Sequence, residues 1–224
     1  MTAGRLSVRP RAAVRVLLSV VLCVIPLMTG CGRSVAGTAV AAPTHAAPSS
    51  PEELERLIVT SVPSGLPRLP DGALEPPAGA KRVEDVAAYA GDPQHEERVL
   101  EEYGYRFGWE RFWGSGTGDG PVTSDFVDEF ADRAGAGAYA RDLAGNDAEH
   151  YRGMLRENPP GLPGGCSLLT VDRPDAGLTG PAAFVWCAHG IFSVSVTAVA
   201  RTPEAAADEV HAVLRDQMER LPPR

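Results

Sequence analysis

The sequence predicts an α+β domain in which one antiparallel β-sheet of about five strands packs against helices. Two observations lead to this fold class. Five segments alternate or run apolar over the length of a strand, and three of these five lie in the last third of the chain, separated by short polar turns. The last of them is followed by a long amphipathic helix, which is what a half-buried sheet needs on its apolar face.

The first 30 residues have the layout of an export signal. Four arginines and no acid come first, and residues 16–27 are then apolar except for Ser19. This run is shorter than the roughly 20 apolar residues that cross a bilayer. Thr29 and Gly30 are small residues of the kind a signal peptidase accepts, and Cys31 follows them. We expect cleavage before Cys31 and lipid on its thiol; the alternative is an ordinary cleaved signal with an incidental cysteine.

Residues 31–51 are expected to form a lipidated flexible linker. They are mainly Ala, Pro, Ser, Thr and Gly, with almost no large apolar side chain, so they cannot offset the entropy of ordering themselves. A flexible chain of about twenty residues reaches roughly 25 Å, which lifts a domain clear of the headgroups. Residues 52–224 then form a single domain, held at the outer face of the cytoplasmic membrane.

The chain beyond the signal is acidic. The full sequence has 21 Lys and Arg residues and 29 acids. Four of the basic residues and none of the acids lie in residues 1–30, so residues 31–224 carry a net charge of −12 with neutral histidines. A surface of this sign argues against nucleic acid as a partner and against docking on anionic lipid. Membrane attachment is therefore expected through the lipid alone.

The first part of the domain is predicted to alternate short helices with irregular segments. Residues 52–62 favour a short helix, whereas residues 63–79 are too rich in Pro and Gly for regular structure. Helices are expected at residues 82–89 and 95–103, on the two sides of a break at residues 91–93.

An aromatic strand is expected at residues 105–113. Six aromatic residues lie between residues 103 and 113, and alternation along the strand explains at least half of them as core. The others could line a pocket or a glycan-stacking surface, with Trp113 the most exposed because it precedes a Gly-rich loop. The candidate binding surface comprises Tyr105, Trp109, Trp113 and, from a later turn, His189, although a turn role is favoured for His189 over a ligand role.

Residues 122–130 predict the next strand, and residues 131–143 predict a helix that Gly145-Asn146 should end. A further helical piece is expected at residues 147–156. The acids of this region are interpreted as a solvated face or as helix caps, namely Asp125, Asp128, Glu129 and Asp132.

The last third is predicted as a β-meander followed by a helix. Its strands are expected at residues 166–172, 182–188 and 191–199, and Pro203 begins the helix with Thr202 as its cap. The apolar stripe of this helix comprises Val210, Val213, Leu214, Met218 and Leu221.

Two cysteines remain once Cys23 leaves with the signal and Cys31 takes lipid. In an oxidising compartment Cys166 and Cys187 most simply form one disulfide, and a hairpin centred near residues 176–177 places them opposite each other. The alternative is a pair of free buried thiols. A zinc site is disfavoured because no further Cys or His stands at ligand spacing.

No motif in the chain assigns a catalytic, metal or cofactor site. Ser115 lies between glycines but lacks the strand-to-helix context of a nucleophile elbow. The clusters His95-Glu96-Glu97 and Asp147-x-Glu149-His150 lack the i, i+4 spacing of a zinc-binding helix and are interpreted as surface charge. We therefore expect no enzyme activity and no cofactor.

Four segments carry a resemblance to known proteins. They are the mature start Cys31-Gly32-Arg33-Ser34-Val35-Ala36-Gly37-Thr38-Ala39-Val40, the strand from Gly104-Tyr105 to Arg111-Phe112-Trp113, the strand and helix from Phe126 to Tyr139, and the ending Trp186-Cys187-Ala188-His189-Gly190. On these segments the chain resembles small actinobacterial lipoproteins. Over roughly residues 52–221 it resembles the extracellular sensor domains of mycobacterial receptor Ser/Thr kinases, which usually have two disulfides where this chain can form one.

The resemblance implies an antiparallel α+β sandwich with a ligand-binding role and no established chemistry. We therefore expect a lipid-anchored envelope protein whose non-catalytic, sensor-like domain binds a small molecule, a glycan or an envelope protein. The alternatives are an accessory or structural subunit of an envelope enzyme or transport complex, and an unrecognised hydrolase. A pocket lined by Trp109 and Trp113 would favour a ligand, a flat apolar patch a protein partner, and convergent buried polar residues in a cleft a hydrolase.

Overall fold

The computed structural model describes residues 46–116, 120–173 and 177–222. The signal peptide, Cys31 and most of the linker lie outside the described residues, so cleavage and lipidation stay predictions. Within the described ranges, no helix combines the length and the apolar character needed to cross a membrane.

One seven-stranded sheet forms the centre of the domain. Its strands are β1 (Gly79–Lys81), β2 (Tyr105–Gly114), β3 (Val122–Phe130), β4 (Met154–Glu157), β5 (Cys166–Val171), β6 (Ala182–His189) and β7 (Phe192–Val199). Their order is β1-β2-β3-β7-β6-β5-β4, and every neighbouring pair is antiparallel. The α+β prediction is confirmed, and all five predicted strands are present.

The edge strands β1 and β4 were not predicted. Each has only three or four residues, which is too short for a period to be read from the sequence. The second correction concerns residues 154–156, which were expected to be helical and instead belong to β4. Arg152 adopts a left-handed conformation with φ of 52° that ends the preceding helix, and the chain then turns to pair with β5.

Five helices accompany the sheet. They are α1 (Pro51–Glu55), α2 (Val83–Ala87), α3 (Pro93–Glu102), α4 (Arg133–Tyr151) and α5 (Pro203–Arg220). The side chains of Asp132 and Thr202 accept hydrogen bonds from backbone N–H groups in the first turns of α4 and α5. The predicted capping role of Thr202, with Pro203 in the first turn, is confirmed.

Helix α4 runs past the stop that Gly145-Asn146 was expected to impose. Ala140 and Ala144 are buried against the sheet, and Ala148 and Tyr151 pack against the same cluster one and two turns later. This burial outweighs the helix-breaking tendency of one glycine, which is about 1 kcal/mol.

The two faces of the sheet are covered by different helices. Residues of α1 and α5 pack on one face together with Trp109, Trp113 and Val196. Helix α4 covers the other face, where it packs on Phe184 and Trp186. Trp113 is only 1% exposed, so the expectation that it is the exposed aromatic is wrong.

The pairing of β5 with β6 places Cys166 directly opposite Cys187, as predicted. The two sulfur atoms form a disulfide, with the Cα atoms 4.2 Å apart. Both residues are buried in the core that α5 covers.

Candidate ligand-binding cavity

A cavity of about 710 Å³ lies between the sheet and helix α4. Its walls come from β2, β3, β6 and β7, from α2, α3 and α4, and from residues 177–179. Binding sites for small molecules have volumes of roughly 300–1,000 Å³. The cavity is therefore large enough for a drug-sized ligand.

The floor of the cavity is a grid of alternating polar and aromatic side chains. Strand register produces this grid, because alternate residues of each strand share a face and antiparallel partners lie side by side. One row across β2, β3, β7 and β6 is Glu110, Phe126, Ser195 and Trp186. The next row is Phe112, Ser124, Thr197 and Phe184.

The aromatic rings of the floor and of α4 contact one another. Phe112 meets Phe126 edge to face, with ring centroids 5.4 Å apart. Phe184 stacks against Trp186 at 5.8 Å and against Tyr151 at 4.8 Å. These contacts hold the rings in fixed orientations, so the apolar part of the cavity is preorganised.

Glu110 is the most constrained acid of the floor. It is 2% exposed, and its Oε2 atom accepts a hydrogen bond from the Tyr89 hydroxyl at 2.9 Å and lies 3.1 Å from Lys81 Nζ. Lys81 also donates to the Pro77 carbonyl and lies over the Tyr89 ring, 5.6 Å from its centroid. Glu110 Oε1 has no hydrogen-bond partner among the described residues. Burial raises the pKa of Glu110, and the positive charge of Lys81 opposes this rise.

Asp128 is the second buried acid at the cavity. It is 6% exposed, and its pKa is raised to about 7, first by burial and then by the negative charge of Glu110. A hydrogen bond from Tyr105 and the charge of Lys81 partly oppose the rise. Its carboxyl group is therefore partly protonated at neutral pH.

Two further acids stand at the wall of the cavity, Glu96 from α3 and Asp147 from α4. Burial raises the pKa of both, that of Asp147 to about 6, while nearby histidines lower them. The sequence predicted surface charge here, and the structure instead places Glu96 and Asp147 half-buried at the cavity.

The interpretation of the β3 acids as a solvated face is wrong. Asp125 and Glu129 are fully buried, and Asp128 nearly so. The reason is that β3 is an interior strand with helices over both sheet faces, so neither set of alternate residues reaches solvent. Asp132, the fourth acid, caps α4 as expected.

The four residues predicted as a binding surface do not come together. Trp109 and Trp113 lie on the opposite face of the sheet, in the core beneath α5. Tyr105 lies beside the cavity, where its hydroxyl group reaches Asp128 and the Lys81 carbonyl. His189 is at the end of β6, with Nε2 3.1 Å from the Pro222 carbonyl.

One feature of the sequence pointed to the cavity residues that were not predicted. The strand at residues 191–199 was expected to alternate, and its polar positions include Ser195 and Thr197. Such a face normally meets solvent, but here it forms part of the cavity floor. The described residues contain no group of three or more His, Cys, Asp or Glu side chains arranged to hold a metal ion.

Comparison with known proteins gives a family. A family model described as "Domain of unknown function (DUF7373) N-terminal" matches residues 67–222. The crystal structure of the extracellular domain of PknH from Mycobacterium tuberculosis aligns with a TM-score of 0.48 and 14% sequence identity, covering 77% of this chain and 97% of that one. No curated protein matches the sequence.

Proposed function

We propose that this chain, which belongs to the DUF7373 N-terminal domain family, is a lipid-anchored, non-catalytic envelope protein that binds a small molecule in the cavity beneath α4. The observation that carries the proposal is the cavity itself. It has the volume of a small-molecule site, aromatic walls held by ring contacts, and a few polar groups on its floor.

The state of the polar groups supports binding rather than catalysis. Glu110 is held by Lys81 and Tyr89, which leaves it poorly placed to shuttle protons. The Ser195 hydroxyl on the floor has no hydrogen-bond partner among the described residues, so no base activates it there. Both groups could instead orient a bound ligand through hydrogen bonds.

A hydrolase is the second candidate, because Glu110 and Asp128 place two buried carboxyl groups at one cavity. A pair of this kind is what a glycosidase requires. Incubation with a panel of chromogenic glycosides should give no turnover. Turnover that disappears in Asp128→Asn would favour the hydrolase and reject the binding proposal.

The N-terminal layout supports export and anchoring. Cys31 follows a signal-like run, and the Cys166–Cys187 disulfide fits an oxidising compartment. In an actinobacterial expression host, Cys31→Ser should move the protein from the membrane fraction to the soluble fraction. Cys23→Ser, which changes a cysteine within the signal, is the matched control and should leave it membrane-bound. The anchor is rejected if Cys31→Ser remains in the membrane fraction.

Binding is tested with the neutral fluorescent probe N-phenyl-1-naphthylamine, whose emission rises in apolar surroundings. The wild-type protein should bind it saturably. Thr197→Trp fills the floor of the cavity and should abolish binding, whereas Thr60→Trp makes the same change at an exposed position and should not. Thermal melting identifies any variant that fails to fold. The proposal is rejected if the wild-type protein gives no saturable signal, or if Thr197→Trp folds and binds normally.

A further inference from the structure

We infer that the cavity selects positively charged ligands, namely amphiphiles that join an ammonium group to an apolar body. The inference rests on the proposed ligand-binding function and specifies the chemical class of the ligand.

The charges at the cavity are almost all negative. Its walls contain the carboxyl groups of Glu96, Glu110, Asp128 and Asp147, whereas His150 is the one titratable base among the lining residues. No lysine or arginine side chain lines it within the described residues. Since the cavity is partly screened from water, these charges act through a lower dielectric than at an open surface.

Two acceptor atoms on the floor are unused. Glu110 Oε1 and Ser195 Oγ belong to residues that are 2% and 9% exposed, and neither atom has a hydrogen-bond partner among the described residues. They lie on the same row of the grid, with Phe126 between them. A buried acceptor without a donor is unfavourable, and an N–H group of a ligand ammonium ion would satisfy Glu110 Oε1.

The chain already binds an ammonium group with this chemistry. Lys81, its only lysine, sits against the Glu110 carboxylate and over the Tyr89 ring, and both of these residues line the cavity. The floor repeats the combination of carboxyl group and aromatic faces. A ligand cation would therefore meet both ion-pairing groups and ring faces that attract positive charge.

The same groups disfavour an anionic ligand. A ligand carboxylate or sulfate would bring a negative charge next to Glu110 and Asp128. Lys81 is already paired with Glu110, and no Lys or Arg among the described lining residues would offset the added charge. The apolar remainder of the ligand would contact the rings of Phe112, Phe184 and Trp186.

The test compares three amphiphiles with the same decyl tail: decylammonium, decyl glucoside and decyl sulfate. Each is used below its micelle concentration, and its affinity is measured by displacement of N-phenyl-1-naphthylamine from the wild-type protein. Decylammonium should bind at least about ten-fold more tightly than the glucoside, as expected for a charge-assisted hydrogen bond, and the sulfate should bind most weakly.

A variant pair assigns the preference to the cavity. Asp128→Asn should reduce decylammonium affinity by a larger factor than glucoside affinity. Asp216→Asn removes the same charge from the exposed surface of α5 and should change neither.

Each outcome is decisive. If the three amphiphiles bind equally, or if Asp128→Asn folds and keeps the full preference, the charge inference is overturned while the proposed pocket stands. If neither the probe nor any amphiphile binds, the proposed function fails as well. Should Asp128→Asn fail to fold, the ranking of the three head groups on the wild-type protein decides the inference.

Discussion

Gly108 lies directly opposite Asp128 in the β2–β3 pair, and a Cβ atom on Gly108 would overlap Asp128 Oδ1. The same Cβ atom would lie 2.8 Å from the Tyr105 hydroxyl oxygen. The absence of a side chain at position 108 therefore makes room for the carboxyl group and for the hydroxyl group that donates to it.

This contact predicts that Gly108→Ala destabilises the protein by about 1–3 kcal/mol, the usual cost of overpacking a core. Urea denaturation measures the change. Gly72→Ala is the control, because nothing lies within 4 Å of its added Cβ atom. Asp128→Ala in the Gly108→Ala background should recover part of the loss, since it removes the overlapping carboxyl group. Equal effects of the two glycine variants would contradict the prediction.

Helix α4 gives a second prediction through Gly145. This glycine is helical, and an added Cβ atom would meet nothing within 4 Å. Gly145→Ala should therefore raise the free energy of unfolding by about 0.5–1 kcal/mol, because alanine loses less backbone entropy in a helix.

The matched control for Gly145 lies in the same helix. At Gly135 a Cβ atom would overlap the Tyr103 carbonyl oxygen, so Gly135→Ala should be strongly destabilising. Denaturation curves of the two variants should move in opposite directions. A loss of stability in Gly145→Ala would show that α4 does not extend through this position.

Gly145 illustrates which parts of the fold could be predicted from local sequence and which could not. The five long strands, α5 and the opposed cysteines follow from period and spacing, which neighbouring residues determine. The continuation of α4 past Gly145 depends on Ala148 and Tyr151 packing on a distant part of the chain. The local sequence around Gly145 contains no information about that distant contact.

The candidate site was harder to predict because its features depend on what covers each strand. Trp113 and Asp128 sit on adjacent strands with similar alternation, yet one packs under α5 and the other faces the cavity beneath α4. Alternation separates the two faces of a strand without saying which helix covers each face. An acid on an interior strand therefore looks like surface charge until the second helix layer is known.

Asp125 gives a pH prediction on the opposite face. It is 0% exposed, it lies opposite Arg111, and its pKa is raised to about 8 mainly by burial, against the opposing charges of Arg111 and Arg220. Its unfolded pKa is about 3.9, so between about pH 4 and pH 8 the folded state holds a proton that the unfolded state has lost. Stability should therefore fall as pH rises through this range.

The variant Asp125→Asn tests this dependence, because the amide cannot ionise. Its stability relative to the wild type should be greater at pH 8.5 than at pH 5, as measured by urea denaturation at both values. Asp216→Asn, at an exposed position of α5, should show no such difference. A constant offset between Asp125→Asn and the wild type at both pH values would mean that the carboxyl group does not titrate in this window.

The cation preference of the cavity should itself depend on pH. The charged and titratable groups facing Asp128 are Glu110 and Tyr105 from β2, Lys81 from β1, Tyr89 from the chain after α2, and Tyr139 from α4. Of these groups, the tyrosines have pKa values raised above 10, so they stay neutral near pH 7. Asp128, with its pKa of about 7, ionises in this range, and Asp147 at the cavity wall, with its pKa of about 6, loses its proton at the lower end of it. Decylammonium remains protonated across this range, so its affinity should rise between pH 6 and pH 8 as Asp128 becomes negative, by linkage of ligand binding to proton release.

Displacement titrations at several pH values should show this rise in the wild type, a flat profile for decyl glucoside, and a reduced slope in Asp128→Asn. An equal rise for the neutral glucoside would mean that the pH change opens the cavity rather than charging it.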